Sequence, residues 1–310
     1  MKLKKIIVAF VCVAMGFIAC KKDDEDEYIE VELRDRTEQQ ITDNDSIVTY
    51  LKSHYYNAGT FENTNGSIAD LIITEVDGEI PDPENNKLLF GSAALDSIQV
   101  TYAETLYNVY YLTLNEGAGE TPTFADNVRV NYEGYTLDEN VFDSSVNPVE
   151  FDLTGAIAGW RKILPLFKTA EGFVENGDGT VSYSNHGAGV MFVPSGLGYF
   201  ASGSTNISSY SPLVFKFDLF EMQENDHDND GVPSWKEDLN GDGEFFTTDD
   251  DELDDTDGDG TLNIIDTDDD GDGVPTIRED IDGDGDPTND IGKNGIPRYL
   301  DPEETEANIL

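Results

Sequence analysis

VRVNYEGYTLDENVFDSS, residues 128–145, is the stretch on which the reading of this chain turns. Its first ten residues are rich in β-branched and aromatic side chains, the composition of a strand. Three further segments share that character: YNVYYLTL from residue 107, GAGVMFV from residue 187 and LVFKFDLFEM from residue 213. In the last of these, Leu213, Phe215, Phe217 and Leu219 recur at period two and so fall on one face. Between the strands, GAIAGWRKILPLF (155–167) spaces Ile157, Trp160, Leu164 and Phe167 near the helical repeat, and Pro165 ends the turn. The pattern predicts an α+β domain in which an antiparallel sheet curls over one short helix. At about 120 residues it is large enough to bury a core of its own.

Upstream, residues 28–101 read as a smaller support layer. Asp43 or Asn44 is placed to cap a helix running through Ile47, Leu51 and Tyr55. LIITEV (71–76) and DSIQVTY (96–102) are strand-like, with NG, DG and PDPENN turns around them. Nothing in this region carries a catalytic pattern.

The order VRVNYEGYTLDENVFDSS, PVEFDL, AIAGW, VPSGLGYFASG and PLVFKF resembles the FKBP-type peptidyl-prolyl cis-trans isomerases over residues 102–222. The resemblance implies an apolar pocket for a proline ring, formed by Tyr132, Phe142, Phe151, Ile157, Trp160, Tyr199 and Phe215, with Trp160 as its floor. It also implies Asp143 as a hydrogen-bonding group at the rim, and the Ile157 amide and Tyr199 hydroxyl as holders of the peptide carbonyls. The implied partners are proline-containing polypeptides, and no cofactor is needed for catalysis. Departures from the family pattern cluster near the rim. Ala156 stands where a valine is usual, Ile163 and Phe200 where glycines are, and Ser208, Ser209 and Tyr210 where a double proline is common. An insertion, TAEGFVENGDGTVSYSNHG, separates the helix from the GVMFV strand. His186 and His227 read as surface residues.

Composition sets the remaining limits. The formal net charge is -47, from 65 acidic and 18 basic residues. About thirty of the acids lie after residue 223, a balance that excludes a nucleic acid as partner. These acids are spaced. From Asp226, carboxylates stand at loop positions one, three and five (Asp226, Asp228, Asp230), with Gly231 at six and Glu237 at twelve, the pattern of a calcium loop. The register recurs as Asp238, Asn240, Asp242 and Asp249, as Asp255, Asp257, Asp259 and Asp266, as Asp268, Asp270, Asp272 and Glu279, and as Asp280, Asp282 and Asp284. Glu237 abuts Asp238, leaving no room for flanking helices. Pro233 and Pro275 lack the amide by which paired helix-loop-helix hands join. Residues 226–301 instead resemble thrombospondin type 3 repeats, which implies structural calcium and a stalk or stiffener.

At the other end, MKLKKIIVAFVCVAMGFIAC (1–20) has a basic start and a short apolar run, the form of a secretory signal rather than a spanning helix. Its close, Phe17-Ile18-Ala19-Cys20, resembles a bacterial lipobox and predicts lipidation of Cys20. Cys12 would be removed with the signal, so no cysteine pair remains for a disulfide. Lys21 and Lys22 followed by five acids resemble the acidic tether of surface-directed Bacteroidetes lipoproteins. The expected plan is a signal peptide (1–20), an acidic tether and N-terminal α/β extension (21–101), an isomerase domain (102–222) and acidic calcium-binding repeats (223–310). The chain is expected on the outer membrane, at the periplasmic face or cell surface. The leading function is an isomerase of X-Pro bonds in extracytoplasmic proteins. The alternative is a peptide-binding scaffold lipoprotein that uses the same fold without catalysis.

Overall fold

A computed structural model describes residues 33–62, 64, 66–246 and 254–308. The signal peptide with Cys20, the tether up to residue 32 and Asp249 lie outside the described residues.

Six antiparallel strands form the main sheet: β4 (Leu95–Tyr102), β5 (Thr105–Asn115), β6 (Asn127–Thr136), β7 (Val141–Asp152), β10 (Gly187–Val193) and β11 (Leu213–Gln223), in the order β4-β5-β10-β11-β6-β7. The central strand β10 is buried along its whole length, as expected for the small and apolar run GAGVMFV. Period-two alternation divides the side chains between two cores. Leu213, Phe215, Phe217 and Leu219 of β11, with Met191 and Val193 of β10, face the short helix α2 (Ala158–Ile163), which brings Trp160 and Ile163. A 3-10 turn over Leu164–Leu166 carries Pro165 and finishes this helix. The insertion after it folds as a hairpin of β8 (Gly172–Glu175) and β9 (Val181–Ser184).

The opposite face, with Val214, Val190 and Phe192, is covered by α1 (Arg36–Ser53) and by a small sheet of β1 (His54–Tyr56), β2 (Ile73–Glu75) and β3 (Lys87–Leu88). Gln39, Asp43, Ile47, Tyr50 and Leu51 fall on one side of α1 and are buried. The helix starts earlier than its composition suggests. Asp35 is the N-cap, accepting from the Glu38 amide at 2.9 Å, while Asp43 lies mid-helix and Tyr55 belongs to β1. Asp43 does not cap its own helix because it binds the sheet domain instead. The Ser195 amide and hydroxyl donate to its Oδ2 at 2.8 and 2.6 Å, and the Gln39 amide group donates to Oδ1 at 2.6 Å. Burial raises the Asp43 pKa above the usual carboxylate value, and these donors oppose that rise.

His186 is a second correction: it is buried, 6 % exposed, not on the surface. Its Nε2 lies 3.2 Å from Asp218 Oδ1, and Asp218 also accepts from the Ser67 hydroxyl at 2.6 Å and the Ile68 amide at 3.0 Å. Asp218 follows Phe217 on β11, so alternation sends it to the outer face, where it ties the N-terminal extension down. Among the described residues no helix is long and apolar enough to cross a membrane.

The Asp43 bond set spans 152 residues of chain and joins α1 to the loop after β10. Asp43→Ala is expected to lower unfolding stability by about 1–3 kcal/mol, because it deprives buried Ser195 of its acceptor. Urea denaturation checks this, and a change below about 0.5 kcal/mol, the size of a surface substitution, would remove that role.

Candidate functional site

The short helix delivers Trp160 into a box of aromatic rings. Tyr132 stands edge-on to it with centroids 6.0 Å apart, Phe151 at 5.6 Å and Phe215 at 5.2 Å. Phe217 closes the inner side at 5.9 Å, and Phe142 reaches the group through Phe215 at 5.5 Å. Near-perpendicular pairs of this kind place positive ring edges on negative faces. Strand pairing brings Tyr132, Phe151 and Phe215 to one face, and a register shift between β6 and β7 beside Gly134 lets Phe142, nine residues from Phe151, join them. Tyr132 lies on β6, Phe142 and Phe151 on β7 and Phe215 on β11, and β6 pairs with both of the others. Gly134 leaves the space for it: a Cβ there would meet the rings of Phe142 and Phe215 at 2.7 Å.

Trp160 is 4 % exposed, whereas Tyr132, Phe142 and Phe151 are half-buried, so the box opens on the side away from Phe217. Asp143 is exposed, and its Oδ2 accepts the Tyr132 hydroxyl at 2.6 Å. Burial first, and the Asp143 carboxylate second, hold the Tyr132 phenol well above its usual pKa. At neutral pH it is therefore a proton donor fixed on Asp143. Tyr199 is 39 % exposed and close enough to act electrostatically on Tyr132. Ile157 is the N-cap of α2, half-buried, its carbonyl accepting from the Trp160 amide at 3.0 Å. The eight residues expected at the pocket thus lie on β6, β7, α2, β11 and the loop after β10.

The departures acquire physical reasons. Ile163 is fully buried in the core beneath α2. Phe200 has φ +43°, the left-handed region that favours glycine, and a side chain there costs about 1 kcal/mol. The N-terminal extension supplies a compensating contact. The Arg36 guanidinium stacks over the Phe200 ring at 4.2 Å and donates to the Gly196 carbonyl at 3.1 Å, while Tyr210 packs edge-on at 5.0 Å. Arg36 gives no family signal in the sequence and was not expected near this loop.

In the acidic tail one backbone turn is repeated. Asp226 accepts from the Asn229, Asp230 and Gly231 amides, Asp238 from Gly241, Asp242 and Gly243, and Asp280 from Gly283, Asp284 and Gly285. Glycines at the sixth position, such as Gly231 and Gly273 with φ +97° and +94°, make the bend possible. Among the described residues four carboxylate groups come close: Asp228, Asp230 and Glu237 with Asp269; Asp255, Asp257 and Asp259; Asp268, Asp270 and Asp272; and Asp280, Asp282 and Asp284. Each group holds ligand atoms within 4.8 Å of one another.

The donor set fits a hard cation. Glu237 and Glu279 are fully buried and Asp269 is 1 % exposed, yet both carboxylate oxygens of each lack a hydrogen-bond partner among the described residues. Burial, then Asp230 and Asp269, pushes Glu237 up to about 10, and burial with Asp230 and Asp228 pushes Asp269 to about 9. Burial and the acids of its own loop raise Glu279 to about 8. Buried, unpartnered acids with such neighbours are stable only when protonated or facing a positive charge.

Asp269 was missed because it occupies an even position of its own loop, which the one-three-five spacing skips. Asp254 was missed for a similar reason: it precedes the third loop but serves the second. It is 2 % exposed, accepts the Leu239 and Asn240 amides through Oδ1, and has no partner for Oδ2 among the described residues. Of the other acids expected as ligands, Asp226, Asp238, Asn240, Asp242 and Asp266 mainly organise the turns in this structure. The tail is also not a free stalk. Phe245 is buried against Ala125, Phe124 and Ile264, and Asn225 donates to the Ala125 carbonyl at 3.0 Å.

Comparison with known proteins places these two regions separately. Residues 118–220 match the sequence model of the FKBP-type peptidyl-prolyl cis-trans isomerase family, and residues 227–282 match one described as BamM C-terminal. The FKBP-type 22 kDa peptidyl-prolyl cis-trans isomerase of Escherichia coli is 30% identical over 142 residues, covering 45% of this chain and 60% of that protein. The probable FKBP-type isomerase FkpA of Neisseria meningitidis is 32% identical over 135 residues, 42% of each chain. A crystal structure of FkpA from Escherichia coli aligns with 26% identity and a TM-score of 0.34, over 43% of this chain and 53% of that one. The chain thus spans 60% or less of the length of these relatives. The segment that builds the aromatic box is the segment that matches the FKBP-type peptidyl-prolyl cis-trans isomerase family.

Proposed function

We propose that the chain is a peptidyl-prolyl cis-trans isomerase of the FKBP type, acting on X-Pro bonds of extracytoplasmic polypeptides. The observation that carries this reading is the enclosure of Trp160 by Tyr132, Phe151 and Phe215 beneath an opening rimmed by Asp143 and Tyr199. Rotation about an X-Pro bond faces a barrier of about 18–20 kcal/mol, because the planar imide is resonance-stabilised and its carbonyl is solvated. A dry aromatic box favours the twisted imide, whose separation of charge is smaller, over the planar and solvated ground state. The Ile157 N–H and Tyr199 hydroxyl would hold flanking peptide carbonyls, and Tyr132 is kept in place by Asp143. No acid, base or metal is required by this chemistry.

The tail is proposed to bind calcium structurally. Calcium accepts six to eight oxygens at about 2.3–2.6 Å, and Glu237, Asp269, Asp228 and Asp230 offer such a set in the first loop, as Asp268, Asp270, Asp272 and Glu279 do in the fourth. Magnesium, which demands octahedral geometry and keeps its waters, suits these crowded carboxylates less. Cys20 is proposed to carry the lipid that anchors the chain to the outer membrane, with the periplasmic face or cell surface as its place.

Three outcomes test this reading. The chain from residue 21 onward should accelerate cis-to-trans conversion of X-Pro peptides in a protease-coupled assay. Trp160→Ala should abolish the effect and, by emptying the core, destabilise the fold by about 3–5 kcal/mol. Tyr132→Phe should keep the fold and lower kcat/KM. A folded wild-type chain that leaves the uncatalysed rate unchanged across several residues before proline would instead support the scaffold function.

Calcium binding should depend on pH because the buried acids of the tail hold their protons. Without metal, Glu237 and Asp269 have folded pKa values of about 10 and 9, above their ordinary 4.5 and 3.8. Their contribution to stability is therefore full below about pH 4 and is lost as pH rises through those folded values. In chelator the tail should be less stable at pH 9 than at pH 5. Calcium must displace the same protons, so calorimetric titration should show tighter binding at pH 8 than at pH 6. Equal affinity at both would contradict the assignment of these acids as ligands.

For the anchor, Cys20→Ser should move the protein out of the membrane fraction, whereas Cys12→Ser should not. Unchanged fractionation of the Cys20 variant would remove the lipid.

A further inference from the structure

The second acidic loop, residues 238–246, lies against α2. Glu244, at the seventh position of that loop, pairs through one oxygen with the Arg161 guanidinium and through the other with the Lys162 amine at 3.1 Å. All three side chains are 12 % exposed. The Lys162 amine also donates to the Asp242 and Gly243 carbonyls at 2.8 and 3.2 Å. It takes the carbonyls of positions five and six and leaves that of Glu244, the one that loops of this pattern turn toward their cation. Next to it, Phe245 is fixed in an apolar cluster with Phe124, Ala125 and Ile264.

Arg161 looks both ways. While one arm holds Glu244, the other donates to the Ala156 carbonyl and, at 3.4 Å, to the Thr154 carbonyl. The Ala156 carbonyl and the Ile157 N–H belong to one peptide plane, so fixing the oxygen fixes the direction of the N–H. That N–H opens α2, three residues before Trp160, and is the group proposed above to receive a substrate carbonyl.

We infer that Arg161 is a positioning residue that couples cation occupancy of the second acidic loop to the geometry of the proline pocket, through Glu244 on one side and the Ala156–Ile157 peptide on the other. The inference rests on the isomerase and calcium readings above and goes beyond both. The loop has more than acidic composition to recommend it as a cation site. Asp254 is 2 % exposed, is bonded to the Leu239 and Asn240 amides, feels the charges of Asp238 and Asp242, and carries an oxygen without partner among the described residues. Without a cation, Asp238, Asp242 and Asp254 repel one another and loosen the backbone that carries Glu244. With one, position seven is held and the grip on Arg161 tightens.

The chain has two tryptophans, Trp160 in the pocket and Trp235 in the tail. In the full chain carrying Trp235→Phe, emission therefore reports Trp160 alone. Calcium chloride is titrated while calorimetry follows binding, fluorescence follows Trp160 and a proline tetrapeptide follows kcat/KM. Calcium should shift Trp160 emission and raise kcat/KM by about fivefold or more, the lower range of measured site-to-site couplings. Glu244→Gln keeps the backbone carbonyl and removes the charge, so calcium should still bind while both responses disappear. Calcium binding that leaves emission and kcat/KM unchanged, or responses that survive in Glu244→Gln, would overturn the coupling. Absence of calcium binding would overturn the calcium reading and this inference together. A Glu244-dependent emission shift in a chain without isomerase activity would uphold the coupling and strike the isomerase reading alone.

Discussion

The burial of one indole ring organises this molecule. A helix of six residues has too few hydrogen bonds to persist alone, so α2 exists because Trp160 and Ile163 pack against one face of the sheet. Trp160 touches rings from β6, β7 and β11, neighbours in the sheet, of which β6 and β7 follow one another in the chain and β11 lies far along it. Its inner side, against Phe217, is core. Its outer side, between Tyr132, Phe151 and Phe215, is the proposed binding surface. Stability and the proposed function therefore share the same atoms, which is why Trp160→Ala cannot separate them and Tyr132→Phe can.

The pocket is held from two directions by parts of the chain outside the family match. From the N-terminal side, Asp43 and Arg36 of α1 grip Ser195, Gly196 and Phe200, the loop that carries Tyr199. From the C-terminal side, the acidic tail reaches Arg161 and Lys162 on α2. The described residues from Arg34 onward accordingly form one compact unit. Charge explains the arrangement on the tail side: two cations on consecutive residues of α2 face a segment in which basic residues are few.

Local pattern was legible and long-range pairing was not. The strands around VRVNYEGYTL, the period-two face of β11 and the spacing of Ile157, Trp160 and Phe167 follow from rules that involve near neighbours. The pocket residues came through the family resemblance; in the structure the rings of Tyr132, Phe142, Phe151, Trp160 and Phe215 lie in contact. Asp43 looked like a cap because Asp is a common one, yet its donors lie 152 residues away and no local pattern reveals them. His186 looked exposed because its acceptor, Asp218, sits on the outer face of a strand read mainly for its apolar side. Asp254 and Asp269 fall outside the one-three-five spacing, and only the folded tail brings them to loops that began 16 and 43 residues earlier. Phe245 gave no sign that the tail would dock.

The most direct test of the account is a crystal structure of the chain with a bound tetrapeptide containing an X-Pro bond. The proline ring should lie against the Trp160 indole, between Tyr132 and Phe215, with a peptide carbonyl on the Ile157 N–H. A peptide bound elsewhere, with the aromatic box left unengaged, would contradict it.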